Sequence, residues 1–135
     1  MTRKTMLVRA GLGGFVLAAA MATTPAVAAA DPITGRWITE DRDAVITIAP
    51  CGSNLCGKIS KFLVAPPQGV DQRDINNPDK SKRSRKLLGT PVLTSFEEDG
   101  DLWRGRIYDP KTGKDYRSVI RRSSASKLEV KGCIG

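Results

Sequence analysis

The side chains of this chain that could hold or transform another molecule are carboxylates, arginines and cysteines, because the sequence contains no histidine. Neither a Ser–His nor a Cys–His pair can form, which leaves nucleophilic catalysis without support. The carboxylates that lie close together in sequence are Glu40 with Asp41, Asp71 with Asp74, and Asp109 with Asp115. Two carboxyl groups at a working separation can cleave a glycan, but acidic residues beside turns are usually solvated or bond the nearby backbone. We therefore predict that the protein is not an enzyme, with a carboxylate-dependent enzyme acting on envelope glycan as the alternative.

Metal binding has equally little support in the sequence. Cys51 and Cys56 are two thiols, and without histidine they do not complete a tetrahedral zinc site. The stretch from Asp74 to Asp79 contains oxygen ligands that calcium prefers, but an EF-hand loop needs glycine at its sixth position and glutamate at its twelfth. Counted from Asp74, those positions hold Asp79 and Arg85. We predict a turn-forming role for this stretch, no metal and no cofactor.

The N-terminal thirty residues predict export. Three basic residues within the first nine precede an apolar run at residues 11–22, and a small-residue cleavage site follows at residues 26–28. This arrangement is typical of a secretory signal peptide, and the apolar run is too short to span a membrane. We therefore divide the chain into a signal peptide at residues 1–30 and one domain at residues 31–135. The expected location is periplasmic or secreted, with no membrane span.

The cysteines fit the oxidising compartment that export implies. Cys51 and Cys56 enclose a short turn-forming segment, and cysteines on the facing strands of such a hairpin can reach bonding distance. We predict a disulfide between Cys51 and Cys56, which leaves Cys133 free.

The net charge indicates the kind of partner. The whole chain carries 22 basic and 14 acidic residues, so removal of the three leader cations leaves 19 basic residues and a net charge of +5. A basic exported protein favours anionic envelope partners. Nucleic acid is not expected as a partner, because the sequence does not interleave aromatic residues with basic ones for base stacking.

Short apolar runs separated by turn residues predict an all-β domain. In residues 45–49, Ile46 and Ile48 share one strand face, while the turn at residues 109–113 has proline followed by glycine. The predicted strands are residues 35–39, 45–49, 56–64, 92–96, 102–108, 115–122 and 127–133. Evenly spaced short strands with tight turns indicate an antiparallel barrel or sandwich. The alternation in residues 56–64 is imperfect, and Gly105 in mid-strand suggests a bend.

The number of predicted strands bears on whether a barrel can close. A meander barrel pairs its last strand with its first, which removes the exposed edges. Seven predicted strands that end near an unpaired Cys133 leave such a ring one strand short. We hypothesise that a strand is missing at the C-terminus, and an open seven-stranded sheet with a free thiol is the alternative.

The connection at residues 65–91 is a candidate binding segment. Loops longer than about 12 to 15 residues are uncommon in compact domains and are often functional. Five of the seven residues at positions 80–86 are cationic. If Arg83 and Arg85 lie in one extended segment, their side chains point the same way and can grip a phosphate or carboxylate bidentately. The alternative is a solvated loop.

The large aromatic residues complete the predicted site. Trp37 is expected in the core at one barrel end. Tyr108 and Tyr116 flank the turn at residues 109–113, where they either pack on each other across the hairpin or line a ligand opening. The predicted ligand-binding residues are Asp74, Asn77, Arg83, Arg85, Tyr108 and Tyr116.

Five separated motifs follow one another along the domain. They are Gly35-x-Trp37-x-Thr39-Glu40-Asp41, Cys51-Gly52-x-x-x-Cys56-Gly57-Lys58-Ile59, Asn77-Pro78-Asp79 with Arg83-x-Arg85-x-Leu87-Leu88-Gly89, Trp103-x-Gly105-x-Ile107-Tyr108-Asp109-Pro110-x-Thr112-Gly113-Lys114-x-Tyr116, and Val130-x-Gly132-Cys133. Together they resemble the exported bacterial family catalogued as domain of unknown function 2147. The resemblance implies a small lipocalin-like β-barrel in the periplasm and no established activity. Lys86 stands where the family usually places proline, and the family's closing strand is absent.

These observations together predict a small antiparallel meander β-barrel that acts outside the cytoplasm. The expected function is a non-enzymatic binding or envelope-associated module for a small or anionic ligand. The alternatives are the glycan enzyme and a purely structural module that contacts anionic lipid or another protein through the basic loop.

Overall fold

Short antiparallel strands joined in chain order form a closed ring. The computed structural model describes residues 2–8 and 29–133 of the chain. The strands are β1 (Thr2–Val8), β2 (Gly35–Ile38), β3 (Ala44–Cys51), β4 (Asn54–Phe62), β5 (Pro91–Asp99), β6 (Leu102–Asp109), β7 (Lys114–Ser124) and β8 (Lys127–Cys133). Each strand pairs with the next, and β1 pairs with β8. The prediction of an all-β antiparallel meander barrel is confirmed.

Strand β1 comes from the segment predicted as a leader. It pairs with β8 over six residue pairs and with β2 over two. The strands predicted within residues 31–135 are β2 to β8, and β1 occupies the position in the ring that they leave empty. The apolar run and the cleavage site of the predicted signal peptide lie outside the described residues. Cleavage at that site would remove β1 and leave β2 and β8 as the edges of a seven-stranded sheet.

The interior of the barrel is filled by side chains from alternating strand positions. The largest fully buried apolar side chains are Trp37, Phe96, Ile33, Leu93, Ile120, Leu128 and Val130. Burial of one such side chain contributes about 1.5–3 kcal/mol, so this cluster is the main stabilising element of the fold. Trp37 lies in the core as predicted, and its indole N–H donates to the carbonyl oxygen of Ile33 at 2.9 Å.

A bulge in β4 explains the imperfect alternation of that strand. Ile46 on β3 pairs with Ile59, whereas its neighbour Val45 pairs with Lys61, so Ser60 is the extra residue. The Ser60 hydroxyl donates to the carbonyl oxygen of Val45 at 3.2 Å. The bulge lets Ile59 enter the core while Lys61 stays exposed.

Gly105 allows two strands to approach closely where the sheet bends. A Cβ at this position would lie 2.6 Å from the carbonyl oxygen of Thr94 and 2.7 Å from the ring of Phe96. Phe96 reaches this place because β5 bulges between Thr94 and Glu97, with Ser95 at φ +57°. The Phe96 ring therefore fills the space that a side chain at Gly105 would take.

The two ends of the barrel differ in what covers them. The connections at residues 39–43, 63–90 and 110–113 meet at one end, which we call the loop end. The Cys51–Cys56 hairpin lies at the other, which we call the disulfide end. There Arg122 donates from Nη1 to the carbonyl oxygen of Pro32 at 2.9 Å, and its guanidinium lies 5.7 Å from the centre of the Trp37 ring. Residues 29–34 thus cross the disulfide end, a cover that the strand pattern of the sequence did not predict.

Candidate functional site

The long connection at the loop end folds back on itself. Its two arms meet at a β-bridge between Arg73 and Lys86, and the N–H of Asp74 donates to the carbonyl oxygen of Arg85 at 3.0 Å. Leu87, just after this bridge, is buried in the core. The connection is therefore fixed to the barrel over its second arm.

The tip of the connection is built by side-chain to backbone hydrogen bonds. Asn77 Oδ1 accepts from the N–H of Asp79 at 2.9 Å, and Asp79 Oδ1 accepts from the N–H of Ser81 at 3.0 Å. Asp79 thereby caps a 3₁₀ turn at Lys80–Lys82, and Arg83 takes helical dihedral angles of −66° and −22°. The turn-forming role predicted for this stretch is observed. The condition that Arg83 lies in an extended segment is not met, because the 3₁₀ turn capped by Asp79 ends at Arg83 in helical dihedral angles.

Asp74 is the centre of the site. Its side chain is completely buried, and its two carboxylate oxygens accept three side-chain hydrogen bonds. Tyr108 Oη donates to Oδ1 at 2.6 Å, while Asn77 Nδ2 and Arg85 Nε donate to Oδ2 at 2.8 Å and 3.0 Å. A buried carboxylate is tolerable only when its charge is paired and its lone pairs are satisfied, and both conditions hold here. The structure thus brings four of the six predicted site residues into direct contact.

The two arginines place their guanidinium groups on this centre from the solvent side. Arg83 Nε donates to the carbonyl oxygen of Asn77 at 2.7 Å, and Arg85 Nε donates its one hydrogen to Asp74 Oδ2. The Arg85 side chain is 36% exposed, although its partner Asp74 is fully buried. Within the described residues, the terminal Nη groups of both arginines make no hydrogen bond. The two Nη groups of a guanidinium can bind a carboxylate or phosphate bidentately.

Tyr108 connects the charged centre to the barrel. Its ring faces the Arg85 guanidinium, with 5.9 Å between the guanidinium carbon and the ring centre. Burial raises the pKa of Tyr108, and the hydrogen bond to Asp74 and the negative charge of that carboxylate raise it further. Tyr108 is therefore a neutral hydrogen-bond donor at physiological pH.

A small pocket opens beside Tyr108 at the loop end. Its volume is about 130 Å³, and it is lined by Ile107, Tyr108, Asp109, Pro110, Tyr116, Val130 and Gly132. Tyr116, the sixth predicted residue, lies here. The register pairs Tyr116 with Ile107 and Tyr108 with Asp115, so the two tyrosines are not cross-strand neighbours. Sequence analysis did not identify Val130 or Gly132 as site residues, although alternation along β8 places both on the buried face.

The rim of the pocket is attached to the long connection. Asn76 Nδ2 donates to the carbonyl oxygens of Pro110 and Lys111 at 3.0 Å and 3.2 Å. Lys111 also forms an ion pair with Asp43, with 2.8 Å between Nζ and Oδ2. These contacts join the connections between β2 and β3, β4 and β5, and β6 and β7 into one continuous rim.

Two of the acidic residues considered for catalysis, Asp71 and Asp115, form ion pairs with basic side chains. Asp71 binds Lys86 at 3.0 Å, and this hydrogen bond together with the lysine charge lowers the pKa of Asp71. Asp115 binds Arg106 at 2.8 Å. A general acid requires a raised pKa, whereas the pKa of Asp71 is lowered. Among residues 2–8 and 29–133, no group of three or more histidine, cysteine or acidic side chains is arranged to hold a metal ion.

The predicted disulfide is present. Cys51 and Cys56 are bonded, with 5.5 Å between their Cα atoms, and Cys133 is free. In the part of the chain that the structure describes, no helix is long and apolar enough to cross a membrane.

Comparison with known families agrees with the geometry of the barrel. The profile of a family described as an uncharacterised protein conserved in bacteria, DUF2147, matches residues 35–135. The chain belongs to this family. Among curated proteins none matches this DUF2147 chain. A solved structure, described as protein HP1028 from the human pathogen Helicobacter pylori, which belongs to the lipocalin family, is similar with a TM-score of 0.55. The matched region covers 78% of this chain and 79% of the Helicobacter pylori chain, at 12% sequence identity. This similarity shows a shared fold and nothing more.

This DUF2147 protein therefore has a lipocalin-like barrel and comes from a bacterial family of unknown function. Barrels of about eight strands have an interior that either fills with side chains or holds one small ligand. The structure combines both, because its middle is packed and a pocket remains at one end. This architecture is consistent with a module that binds a small ligand.

Proposed function

We propose that this protein is an exported, non-enzymatic module that binds one small anionic ligand at the loop end of the curved sheet that β2 to β8 form once the leader, with β1, is removed. The observation on which the proposal rests is the placement of Arg85. Its guanidinium is held by the buried Asp74 and lies 5.9 Å from the ring of Tyr108, and Tyr108 lines the pocket. A cation fixed in this way loses little conformational entropy when it binds an anion.

The pocket supplies the apolar part of the proposed site. Ile107, Val130 and the ring of Tyr116 are on its wall, and its volume is about 130 Å³. A dry engineered cavity of about 150 Å³ holds a benzene molecule. The proposed ligand therefore has an apolar part of about one six-membered ring and an anionic group that faces Arg83 and Arg85.

Periplasmic or secreted location is part of the proposal. It is supported by the leader-like pattern of the first thirty residues and by the Cys51–Cys56 disulfide, a bond typical of oxidising compartments. Cell fractionation and N-terminal sequencing test it. We expect the protein outside the cytoplasm with an N-terminus near Ala29 or Asp31, and an intact N-terminus in the cytoplasm would contradict export.

Benzoate is a suitable probe for the ligand site, because it joins one ring to one carboxylate. Benzyl alcohol has the same ring without the charge. In an NMR titration at low salt we expect benzoate to bind about tenfold more tightly, the ratio that one charge-assisted hydrogen bond provides. The preference should shrink as salt rises, because the anion is partly exposed. Equal binding of the two probes would contradict an anion site.

Variants of the two arginines test whether these side chains bind the carboxylate of benzoate. Replacement of both Arg83 and Arg85 by glutamine should lower the affinity for benzoate about tenfold. Arg85→Lys retains the positive charge that pairs with buried Asp74 but loses the bidentate fork, so it separates binding from loop stability. Arg121→Gln is the matched control, since it removes an arginine bound to Asp101 on the outer surface of β7. Benzoate affinity that is unchanged in the double variant would refute the proposed site.

A further inference from the structure

The exposed aliphatic side chains of this protein are concentrated in one segment. In the part of the chain that the structure describes, the large apolar side chains most open to solvent are 41% to 65% exposed, and they are Leu63, Val64, Val70 and Ile75. All four lie in the long connection at the loop end. Single exposed apolar residues are normal on a protein surface, whereas a cluster of them marks an interaction site.

Contacts at the loop end hold the start and the tip of this segment on one rim. The N–H of Val64 donates to the carbonyl oxygen of Asp43 at 3.2 Å, and the Asp43 side chain is ion-paired with Lys111. The carbonyl oxygen of Lys111 accepts from Asn76, which directly follows Ile75. Val64 and Ile75 therefore belong to the continuous rim that the three connections of the loop end form.

Basic side chains on the same connection add a positive charge. Five of the seven residues that follow Asp79 are basic, and none of them is acidic. Arg85 and Lys86 form ion pairs with acidic residues of the connection, and the Asp79 carboxylate accepts from the N–H and the hydroxyl of Ser81. Within the described residues the other three are exposed and form no ion pair, and they are Lys80, Lys82 and Arg83. An anionic partner would complement their charge.

The composition of this surface favours a lipid bilayer over a protein partner. Protein interfaces are enriched in aromatic residues and depleted in lysine, whereas the exposed large apolar residues of the described chain are all aliphatic and lie on the connection that carries the lysines. Polar residues also separate Val64, Val70 and Ile75 along the chain, so they do not form one continuous apolar stretch. A fluid bilayer interface accepts separate side chains, and its anionic headgroups attract lysine and arginine.

We propose that these four aliphatic and three basic side chains form a docking surface for an anionic lipid bilayer. The aliphatic side chains enter the headgroup region, and the basic side chains contact lipid phosphates. This inference goes beyond the proposed function and shares with it only the location outside the cytoplasm. Because the pocket beside Tyr108 opens at the same end, a docked protein presents its ligand site to the membrane.

Vesicle binding by the mature protein tests the charged part of the docking surface. In about 0.1 M salt, where charges act over about 10 Å, vesicles of equimolar phosphatidylglycerol and phosphatidylcholine should bind the protein. Vesicles of phosphatidylcholine alone should bind it at least about tenfold more weakly. Replacement of Lys80, Lys82 and Arg83 by glutamine should lower the affinity for anionic vesicles about hundredfold, because each cation near such a surface contributes about fivefold.

A matched control removes the same charge elsewhere. Replacement of Arg36, Lys58 and Lys127 by glutamine takes three cations from exposed positions on β2, β4 and β8, outside the loop end. We expect this variant to lose less than about tenfold in affinity for anionic vesicles, because its charges lie farther from the bilayer than the screening length.

A fluorescent reporter tests whether the aliphatic side chains enter the bilayer. Ile75→Trp places an indole on the docking surface, and its emission should shift to shorter wavelength when anionic vesicles bind, because the indole leaves water. Ser126→Trp, in the exposed turn between β7 and β8 at the disulfide end, is the control and should show no shift. Val64→Ser combined with Val70→Ser should weaken binding to anionic vesicles about tenfold, because less apolar surface is buried.

The possible results decide between occupants of this surface. If anionic vesicles do not bind, or bind no better than neutral ones, the inference is refuted. If the charge variant weakens binding but Ile75→Trp shows no shift, the protein adsorbs by charge alone and the docking surface is wrong. If the protein self-associates without vesicles and the Val64 and Val70 variant stops this, a second copy covers the surface and the inference fails. Benzoate binding is measured without vesicles, so each of these failures leaves the proposed function standing.

Discussion

Tyr108→Phe is the most informative single change in this protein, because it removes one oxygen atom and leaves the ring. That oxygen donates to the completely buried Asp74 at 2.6 Å. A hydrogen bond to a charged group contributes about 1.5–3 kcal/mol, and the loss leaves one oxygen of the buried carboxylate without its donor. We expect the free energy of unfolding to fall by about 2 kcal/mol. For a domain of about 100 residues this lowers the melting temperature by roughly 9 °C.

Urea unfolding followed by tryptophan fluorescence measures this loss. Tyr116→Phe is the matched control, because it removes the same atom from a tyrosine that makes no side-chain hydrogen bond among the described residues. We expect the control to change the free energy of unfolding by less than about 0.5 kcal/mol. The slope of free energy against urea should be the same in all variants, which shows that the denatured state is unchanged.

A double-mutant cycle with Asp74→Asn assigns the loss to this one contact. The amide keeps the shape of the carboxylate but removes its charge, so Tyr108→Phe should cost less than half as much in that background. The coupling energy that we expect is about 1–2 kcal/mol. If Tyr108→Phe costs no more than Tyr116→Phe, or if the cycle shows no coupling, then Tyr108 does not hold the long connection on the barrel and our account of the site is wrong.

Two further predictions concern pH and packing. Burial and the hydrogen bond to Asp74 raise the pKa of Tyr108. The stabilisation that the neutral Tyr108 hydroxyl gives the fold is therefore complete below the unfolded tyrosine pKa of about 10. It is lost as pH rises from there toward the folded pKa. An absorbance titration of the phenolates should show one late-ionising tyrosine in the original protein and none in Tyr108→Phe. Late ionisation of the same size in both proteins would contradict this. Gly57→Ala places a Cβ 2.7 Å from Leu93 Cδ1 and 3.0 Å from Ile46 Cγ2, so we expect the free energy of unfolding to fall by about 1–3 kcal/mol in urea. Leu93→Val should recover part of this loss, and the absence of both effects would show that the core is loosely packed.

Strands β2 to β8 were predictable because each is short and bounded by turn residues, whereas β1 lies in the segment predicted as a leader. Ile46 and Ile48 marked the inner face of β3, and both are buried. The turn at residues 109–113 fixed the β6–β7 hairpin, because proline and glycine favour the dihedral angles of a tight turn. The cysteine pair likewise followed from its spacing. These features depend on local sequence, which a single chain shows directly.

The interior of the site was predictable only in its residue types. Asp71, Asp74 and Asp79 look alike in sequence, yet Asp74 alone among these three is buried. Which one enters the barrel depends on the bridge between Arg73 and Lys86, a contact between the two arms of the long connection. Such pairings between distant residues leave no periodic pattern in a single sequence, so they appear only in the structure.

The close contact between Gly113 and Asn76 has a consequence for access to the proposed ligand site. A Cβ at position 113 would lie 1.9 Å from the carbonyl oxygen of Asn76, so the hairpin and the long connection touch backbone to backbone. The hydrogen bonds from Asn76 Nδ2 to the carbonyl oxygens of Pro110 and Lys111 join the same two segments. If a ligand binds in the pocket beside Tyr108 as we propose, we expect its exchange to require movement of both segments, and Gly113→Ala to push them apart.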